Sequence, residues 1–596
     1  MAMSRTRKIV IVIVGLVLAV MLAVVVGIML LLSMFRKSEP IVRDNSVLVL
    51  KVSGSMPDYA PENLFRRMFR GDEITMEKLL EQLRKAKTDK RIGAILLDIN
   101  MSGAGWAKAE EIREAIADFR TSGKPIYAYM ELGMNKEYYI ALACEKVFVA
   151  PPGDLFINGF AADVMFFRGS LDKLGIYPDV YQIGKYKNAP DSFTRKEMSE
   201  GHREVVNAIL DDLFNRFINT VATTRKKSAD DVRAIIDNAP YSAPEAQKIG
   251  LIDGASYRDE VEKELKGRLG YKESDELRLT RGEEYREVEP ESLGLNRGER
   301  IAVIYGTGSI GSGKSEDSPF GGQSIGSDTM VKAIDDARKD ETIKAIVIRV
   351  DSPGGSSYAS DVIWRAIELA KLKKPVVISM GDVAASGGYY IACNANKIVA
   401  EPSTYTGSIG IFAGKPVMKE FYNWLGVTNE YVLRGKNAGL FRETEKFTPE
   451  ERDKFFGIIK STYYDEFVPK VAKGRGRDPE YIDSIGQGRV WTGAQAKEKG
   501  LVDEFGGLDK AVEIAKQLAG IPADKSIKRV ILPYPRSFFD GFFGSDDAET
   551  VKLQQQRAAF EALPEDVRRT LQYATLLNRM KRGEAMAMMP FDLRIK

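Results

Sequence analysis

A serine placed between alanine and glycine at a strand-to-helix turn has nothing large to shield its hydroxyl. Ser386 has that setting, in Gly381-Asp382-Val383-Ala384-Ala385-Ser386-Gly387-Gly388. The apolar run before it predicts a strand over 375–380, and the pattern after it predicts a helix from Tyr389. At a helix start, free amides and the helix dipole favour a developing alkoxide or oxyanion. The same position suits a plain helix cap, so this serine alone decides nothing. Asp351-Ser352-Pro353-Gly354-Gly355-Ser356 ends the neighbouring predicted strand. Pro353 fixes the backbone there and the glycines leave their amides uncovered. An oxyanion hole and an ordinary turn before a helix fit this segment equally well.

Hydroxyl chemistry needs a base, and the chain holds one histidine. His202 lies in Glu200-Gly201-His202-Arg203-Glu204, which opens an amphipathic pattern (Val205, Val206, Ile209, Leu213, Phe214, Phe217), and is expected to be solvated. A Ser-His-Asp triad would have to use it, so the chemistry is expected to run without histidine. Cys144 and Cys393 are too few for a disulfide framework or a cysteine zinc site, and are expected as buried free thiols. Gly308-Ser309-Ile310-Gly311-Ser312-Gly313-Lys314-Ser315 satisfies the phosphate-loop pattern, and residues 306–311 the dinucleotide fingerprint. Both mechanisms need a helix starting at the loop. Here Glu316-Asp317-Ser318-Pro319 follows and the helical pattern waits until about Ser327, so a mobile surface loop is expected.

The elements that must position these residues occur twice. Gly123-Lys124-Pro125-Ile126 recurs as Lys373-Lys374-Pro375-Val376, and Tyr138-Tyr139-Ile140-Ala141 as Tyr389-Tyr390-Ile391-Ala392. Ala246-Gln247-Lys248-Ile249-Gly250-Leu251-Ile252-Asp253 recurs as Ala496-Lys497-Glu498-Lys499-Gly500-Leu501-Val502-Asp503. A duplicated domain follows. Within each copy, β-branched runs alternate with helical patterns, which predicts a mainly parallel, buried sheet with crossover helices. The expected boundaries are a basic tail over 1–8, an anchor over 9–35 and a first domain over 45–270. A linker over 271–299, a second domain over 300–535 and a charged tail over 536–596 complete the chain. The apolar end of that tail, Met586-Ala587-Met588-Met589-Pro590-Phe591, has no role assignable from sequence.

Ile9 to Phe35 is uncharged and almost wholly aliphatic. As a helix it would reach about 40 Å, more than a hydrocarbon core of roughly 30 Å needs. It is longer than a signal-peptide core and lacks a small-x-small end, so an uncleaved anchor is expected. The net charge of +3 gives no footing for nucleic-acid binding.

Three segments taken together resemble signal peptide peptidase A, the family also called protease IV. They are Asp351-Ser352-Pro353-Gly354-Gly355, the run from Ala384 to Ile391, and Thr406-Gly407-Ser408-Ile409-Gly410. The long tandem form of that family also begins with one membrane anchor, so the resemblance covers nearly the whole chain. It implies an α/β fold of two tandem ClpP/crotonase-like domains after one N-terminal transmembrane helix. It implies Ser386 as nucleophile and Lys187, the second lysine of Gly184-Lys185-Tyr186-Lys187, as general base. Ser408 would orient that lysine, and amides at Gly354 and Gly387 would hold the oxyanion. Neither metal nor cofactor is expected. The implied partners are peptide substrates, in particular cleaved signal peptides and misfolded exported proteins, together with the membrane and other copies in a tetrameric ring. The implied location is the inner membrane, spanned once, with the catalytic body on the periplasmic side. A crotonase-like acyl-CoA enzyme and a non-catalytic membrane scaffold are the competing readings.

The repeat supports the site assignment independently. Ser386 corresponds to Asn135, and Lys187 to Ala438. Each copy keeps what the other lacks, which predicts one site formed between them. A lysine base also requires burial away from carboxylates, so that its pKa falls towards neutrality, and the nearby Asp191 should not touch the amine.

Overall fold

Apolar residues fill successive positions of the central strands, and the reason is that both sheet faces are covered. In the strand Ser46–Gly54, Leu48 and Leu50 join one core, while Val47 and Val49 pack on the other side beneath Val261 and Leu265. The computed structural model describes residues 40–60, 74–318 and 322–533, together with 560, 563, 567–568, 585–589 and 594–595. The anchor expected over 9–35 lies outside these residues. Among the described residues, no helix is long and apolar enough to cross a membrane.

Each copy carries its own sheet. In the first, the strands run in the order Tyr241–Ser242, Lys146–Phe156, Ile126–Met134, Ile92–Ser102, Ser46–Gly54, Leu279–Arg281. In the second, the order is Val490–Thr492, Tyr405–Gly407, Val376–Ala385, Ile343–Ser352, Glu299–Thr307, Ile527–Leu532. The central pairings of both are parallel, as the alternation of strand and helix patterns predicts. The repeated motifs recur because they bond to each other. Tyr138 Oη donates to the Leu251 carbonyl at 2.6 Å, and its counterpart Tyr389 donates to Leu501 at 2.9 Å. Asp253 accepts from the Val147 amide and Asp503 from the Ile398 amide, each at 2.8 Å.

A third sheet joins the copies. Its order is Asp317–Ser318, Gly322–Gly326, Ser309–Gly311, Gly354–Ser356, Met586–Met588, Ile411–Val417, Tyr177–Ile183. The last strand belongs to the first copy and pairs antiparallel with the second from Val417↔Tyr177 to Ile411↔Ile183. The loop expected to be mobile between 308 and 315 is partly a strand here. Ser309–Gly311 pairs in parallel with Gly322–Gly326 and meets Gly355 through Ile310, a long-range partnership that local composition does not reveal. The helix after it runs from Ser327 to Lys339, too late to serve a phosphate.

Buried charge locks the copies together around the two loops of interest. The first-copy helix Trp106–Arg120 directs its N-terminal amides at Asp382, with Gly105 N and Lys108 N donating at 2.9 and 3.0 Å. Lys108 Nζ reaches Asp351 at 2.7 Å, Asp58 at 3.6 Å and Asp382 at 3.7 Å. Burial works against the Lys108 charge, but these three carboxylates outweigh it and hold the amine well above its ordinary pKa. Arg349 adds bonds to Asp58 and to Glu111 from within the second sheet. The acids of both glycine-rich loops thus serve as an inter-copy clamp. Lys108→Met should remove the cation shared by Asp58, Asp351 and Asp382, leaving Asp58 to Arg349 and Asp382 to the helix amides, and cost about 3–5 kcal/mol. Urea unfolding at neutral pH measures this, and the deficit should narrow as acid protonates the carboxyls.

Candidate active site

Ser386 closes the strand Val376–Ala385 and precedes the helix Gly387–Ala392. Its φ of 55° and ψ of −109° lie off the ordinary regions, a strain of roughly 1–3 kcal/mol. Two backbone bonds hold it there, Ser386 N to Gly407 O at 2.8 Å and Tyr390 N to Ser386 O at 2.7 Å. The side chain makes no capping bond, so the helix-cap alternative does not describe this hydroxyl.

The inter-copy strand pairing brings the lysine. Beyond Ile183 the chain turns at Gly184, and Tyr186 N donates to Gln487 O at 2.8 Å. Lys187 follows, and its Nζ lies 2.8 Å from Ser386 Oγ, 3.1 Å from Ser408 Oγ and 3.3 Å from the Ser408 carbonyl. All three side chains are fully buried. Glycines make the room: a Cβ on Gly410 would meet Lys187 Cδ at 3.1 Å, and one on Gly488 would meet Lys187 Cα at 2.5 Å. Ser408, at φ 48°, is held by its amide bond to Arg489 O at 2.7 Å. Ser386 and Lys187 therefore meet within one chain.

Burial pushes the Lys187 pKa well below that of an ordinary lysine, and no carboxylate offsets it. Asp191 is turned away, accepting from Ser199 Oγ at 2.7 Å. Lys185 is exposed, and its hydrogen bond to the Tyr186 hydroxyl, with Glu204 nearby, holds its pKa above the ordinary lysine value. The amine beside the serine is thus the one suited to accept a proton.

His202 is not solvated as expected. The helix Glu200–Arg225 begins at Ser199, and its first turn packs inward, leaving His202 3% exposed against Asp191 and Phe166. Cys144 and Cys393 are buried free thiols, which burial pushes up to about 12.

The glycine amides need one refinement. Gly354 N donates to Ser352 Oγ at 3.1 Å, inside its own turn. Its neighbour Gly355 pairs with Ala587. Gly387 N approaches within 2.7 Å of where a Gly354 Cβ would stand, so the two loops converge beside Ser386. In the first copy Asn135 Nδ2 bonds Gly159 O at 2.8 Å, the counterpart of Ser386 Oγ near Gly410 O at 3.4 Å. Glu137 there takes the Ser102 amide at 2.8 Å, so a carboxylate occupies the degraded loop.

A serine hydroxyl against a buried, uncompensated lysine, with glycine amides beside it, is the arrangement of a serine hydrolase. The family model for Peptidase family S49 matches residues 118–272 and 368–522, once in each copy. The chain belongs to that family, in its tandem-domain form, and is a serine protease; the acyl-CoA and scaffold readings give way. It is 38% identical over 83% of its length to "Serine protease SPPA, chloroplastic" of Arabidopsis thaliana, covering 72% of that protein. It is 36% identical to "Protease 4" of Salmonella typhi, over 79% of this chain and 78% of that one. The Haemophilus influenzae "Protease 4" is 31% identical over 75% and 73% respectively. Among solved structures, a ClpP1 mutant from Listeria monocytogenes overlaps 35% of this chain and 92% of its own, at 17% identity and a TM-score of 0.23, too low to carry an argument.

The buried amine has a thermodynamic signature. Burial lowers the Lys187 pKa on folding, so between the folded value and the ordinary lysine pKa the unfolded chain binds the proton more tightly and this group opposes folding. Lys187→Met should therefore raise the melting temperature at neutral pH. The gain should shrink as pH climbs towards about 10.4, where the unfolded lysine also loses its proton.

Proposed function

We propose that Ser386 is the nucleophile and Lys187 the general base of an endopeptidase acting on signal peptides. The observation that carries this reading is the 2.8 Å approach of a buried amine, free of carboxylates, to the serine hydroxyl. Neutral Lys187 accepts the proton as Ser386 Oγ attacks the peptide carbonyl, and returns it to the leaving amine. Ser408 holds the amine through its hydroxyl and carbonyl. The Gly387 amide, with the Gly354–Gly355 turn, takes the oxyanion.

The finer reading extends to setting. The apolar run 9–35 would tether the protease in the inner membrane, with its body on the periplasmic side, where released signal peptides and misfolded exported proteins are met. A homo-oligomer, tetrameric by resemblance, is supported by the second copy's segment 428–434, the repeat counterpart of the strand Tyr177–Ile183. It lies exposed without strand structure, as do Trp424 and Leu425 just before it. Sedimentation of the detergent-extracted chain would test the assembly, and a monomer would refute it.

Ser386→Ala and Lys187→Ala should each lower turnover of a synthetic signal peptide at least ~1,000-fold, while Lys185→Ala retains most activity. A fluorophosphonate should label Ser386, at a rate rising through one ionisation far below the ordinary lysine range. Retained activity in Lys187→Ala with loss in Lys185→Ala would assign the base wrongly.

A further inference from the structure

Lys187 and Ser408 come from different copies, and one short segment bonds to the backbone beside each of them. It is the run from Gln487 to Arg489, which leads into the strand Val490–Thr492. Gln487 O accepts from Tyr186 N at 2.8 Å, one residue before Lys187. Gly488 N donates to Ile409 O, and Arg489 O accepts from Ser408 N, each at 2.7 Å. Three consecutive residues thus stitch the lysine loop to the Ser408 loop. The stitch is a tight turn, with φ of 50° at Gln487 and 77° at Gly488. A non-glycine residue in that region persists only where its surroundings hold it.

The Arg489 side chain supplies an anchor. Its guanidinium carbon lies 4.7 Å from the ring centre of Tyr186 and 4.4 Å from that of Trp491. Arg489 Nη1 donates to Glu204, and Tyr186 Oη donates to the same carboxylate at 3.1 Å. Glu204 stands near the start of the helix Glu200–Arg225, which also grips the far side of the lysine. Ser199 there bonds Asp191 at 2.7 Å, and a Cβ on Gly201 would stand 3.1 Å from Lys185 O. The repeat separates site from fold at this corner. Ser242 and Thr492 close the same capping box in the two copies, so the strand-to-helix junction is shared. Three residues earlier, Arg489 corresponds to Ala239, and Tyr186 corresponds to Asn437. The junction forms without the arginine in the copy that holds no serine.

We propose that Arg489 is a positioning residue for Lys187, anchoring Tyr186 from the opposite copy so that the amine meets both serine hydroxyls. This rests on the protease reading of Ser386 and Lys187. The Arg489 carbonyl fixes Ser408, whose hydroxyl lies 3.1 Å from Lys187 Nζ, while its side chain fixes the residue before Lys187. A planar guanidinium can stack on rings and donate to a carboxylate at once, which a lysine ammonium cannot match. The guanidinium bonds neither Ser386 nor Lys187, so its loss displaces the base and leaves substrate binding alone. Such a change lowers kcat at constant KM.

The test measures full-length Arg489→Gln, Arg489→Lys and Glu204→Gln on a short fluorogenic peptide. Active sites are counted by the endpoint of fluorophosphonate labelling at Ser386. Arg489→Gln should lower kcat per labelled site roughly 10–100-fold, with KM within about twofold of the parent. Arg489→Lys should recover only part of that loss. Glu204→Gln should lower kcat less, and adding it to Arg489→Gln should cost nothing further, because the two act as one unit. A kcat per labelled site unchanged in Arg489→Gln, even with a lower melting temperature, would overturn the proposal. So would a rise in KM at constant kcat, or losses that multiply in the double variant. If Arg489→Gln does not fold, unchanged kcat in both Arg489→Lys and Glu204→Gln would overturn it equally. Absence of Ser386 labelling in the parent chain would instead defeat the protease reading itself.

Discussion

An ammonium group is costly to bury, and two of the lysines buried between the copies meet opposite outcomes. Lys108 has three carboxylates within 3.7 Å and keeps its charge. Lys187 has hydroxyl and carbonyl oxygens for neighbours and loses it readily. The surroundings serve that difference. Asp191 is occupied by Ser199, the glycines at 410 and 488 let backbone close over the lysine stem, and Asp351 and Asp382 are drawn off to Lys108. A carboxylate turned towards Lys187 would favour its protonated form.

The amine and the serine come from different copies. The first copy contributes a strand, Tyr177–Ile183, whose register against Ile411–Val417 sets where Lys187 arrives. In return it has lost its own site: Asn135 spends its side chain on Gly159, and Glu137 blocks the loop amide at Ser102. The clamp of Asp58, Lys108, Glu111 and Arg349 then fixes the spacing of the two halves, on which a hydrogen bond between copies depends.

Much of this was legible in the residues. The serine and glycine loops, the lysine of the first copy and the duplication all show in short motifs, because tight turns and paired repeat elements constrain local sequence. What escaped depends on partners distant along the chain. Nothing near Ser309–Gly311 announces that Gly322–Gly326 and Gly355 will pair with it. His202 looks like a polar helix start until Phe166 and Asp191 cover it. Met586–Met588 reads as an apolar tail end, since the two edges that receive it lie more than 150 residues upstream.

The central claim is that Lys187 is neutral where other lysines are charged. Nitrogen-15 NMR of the lysine amines, with the Lys187 signal assigned by its loss in Lys187→Met, tests this directly across a pH titration. Lys108 serves as a reference in the same spectra. The Lys187 resonance should change from ammonium to amine well below the pH at which exposed lysines titrate, while Lys108 remains charged throughout. A Lys187 signal that stays that of an ammonium until the exposed lysines titrate would contradict the account, because Ser386 would then have no base.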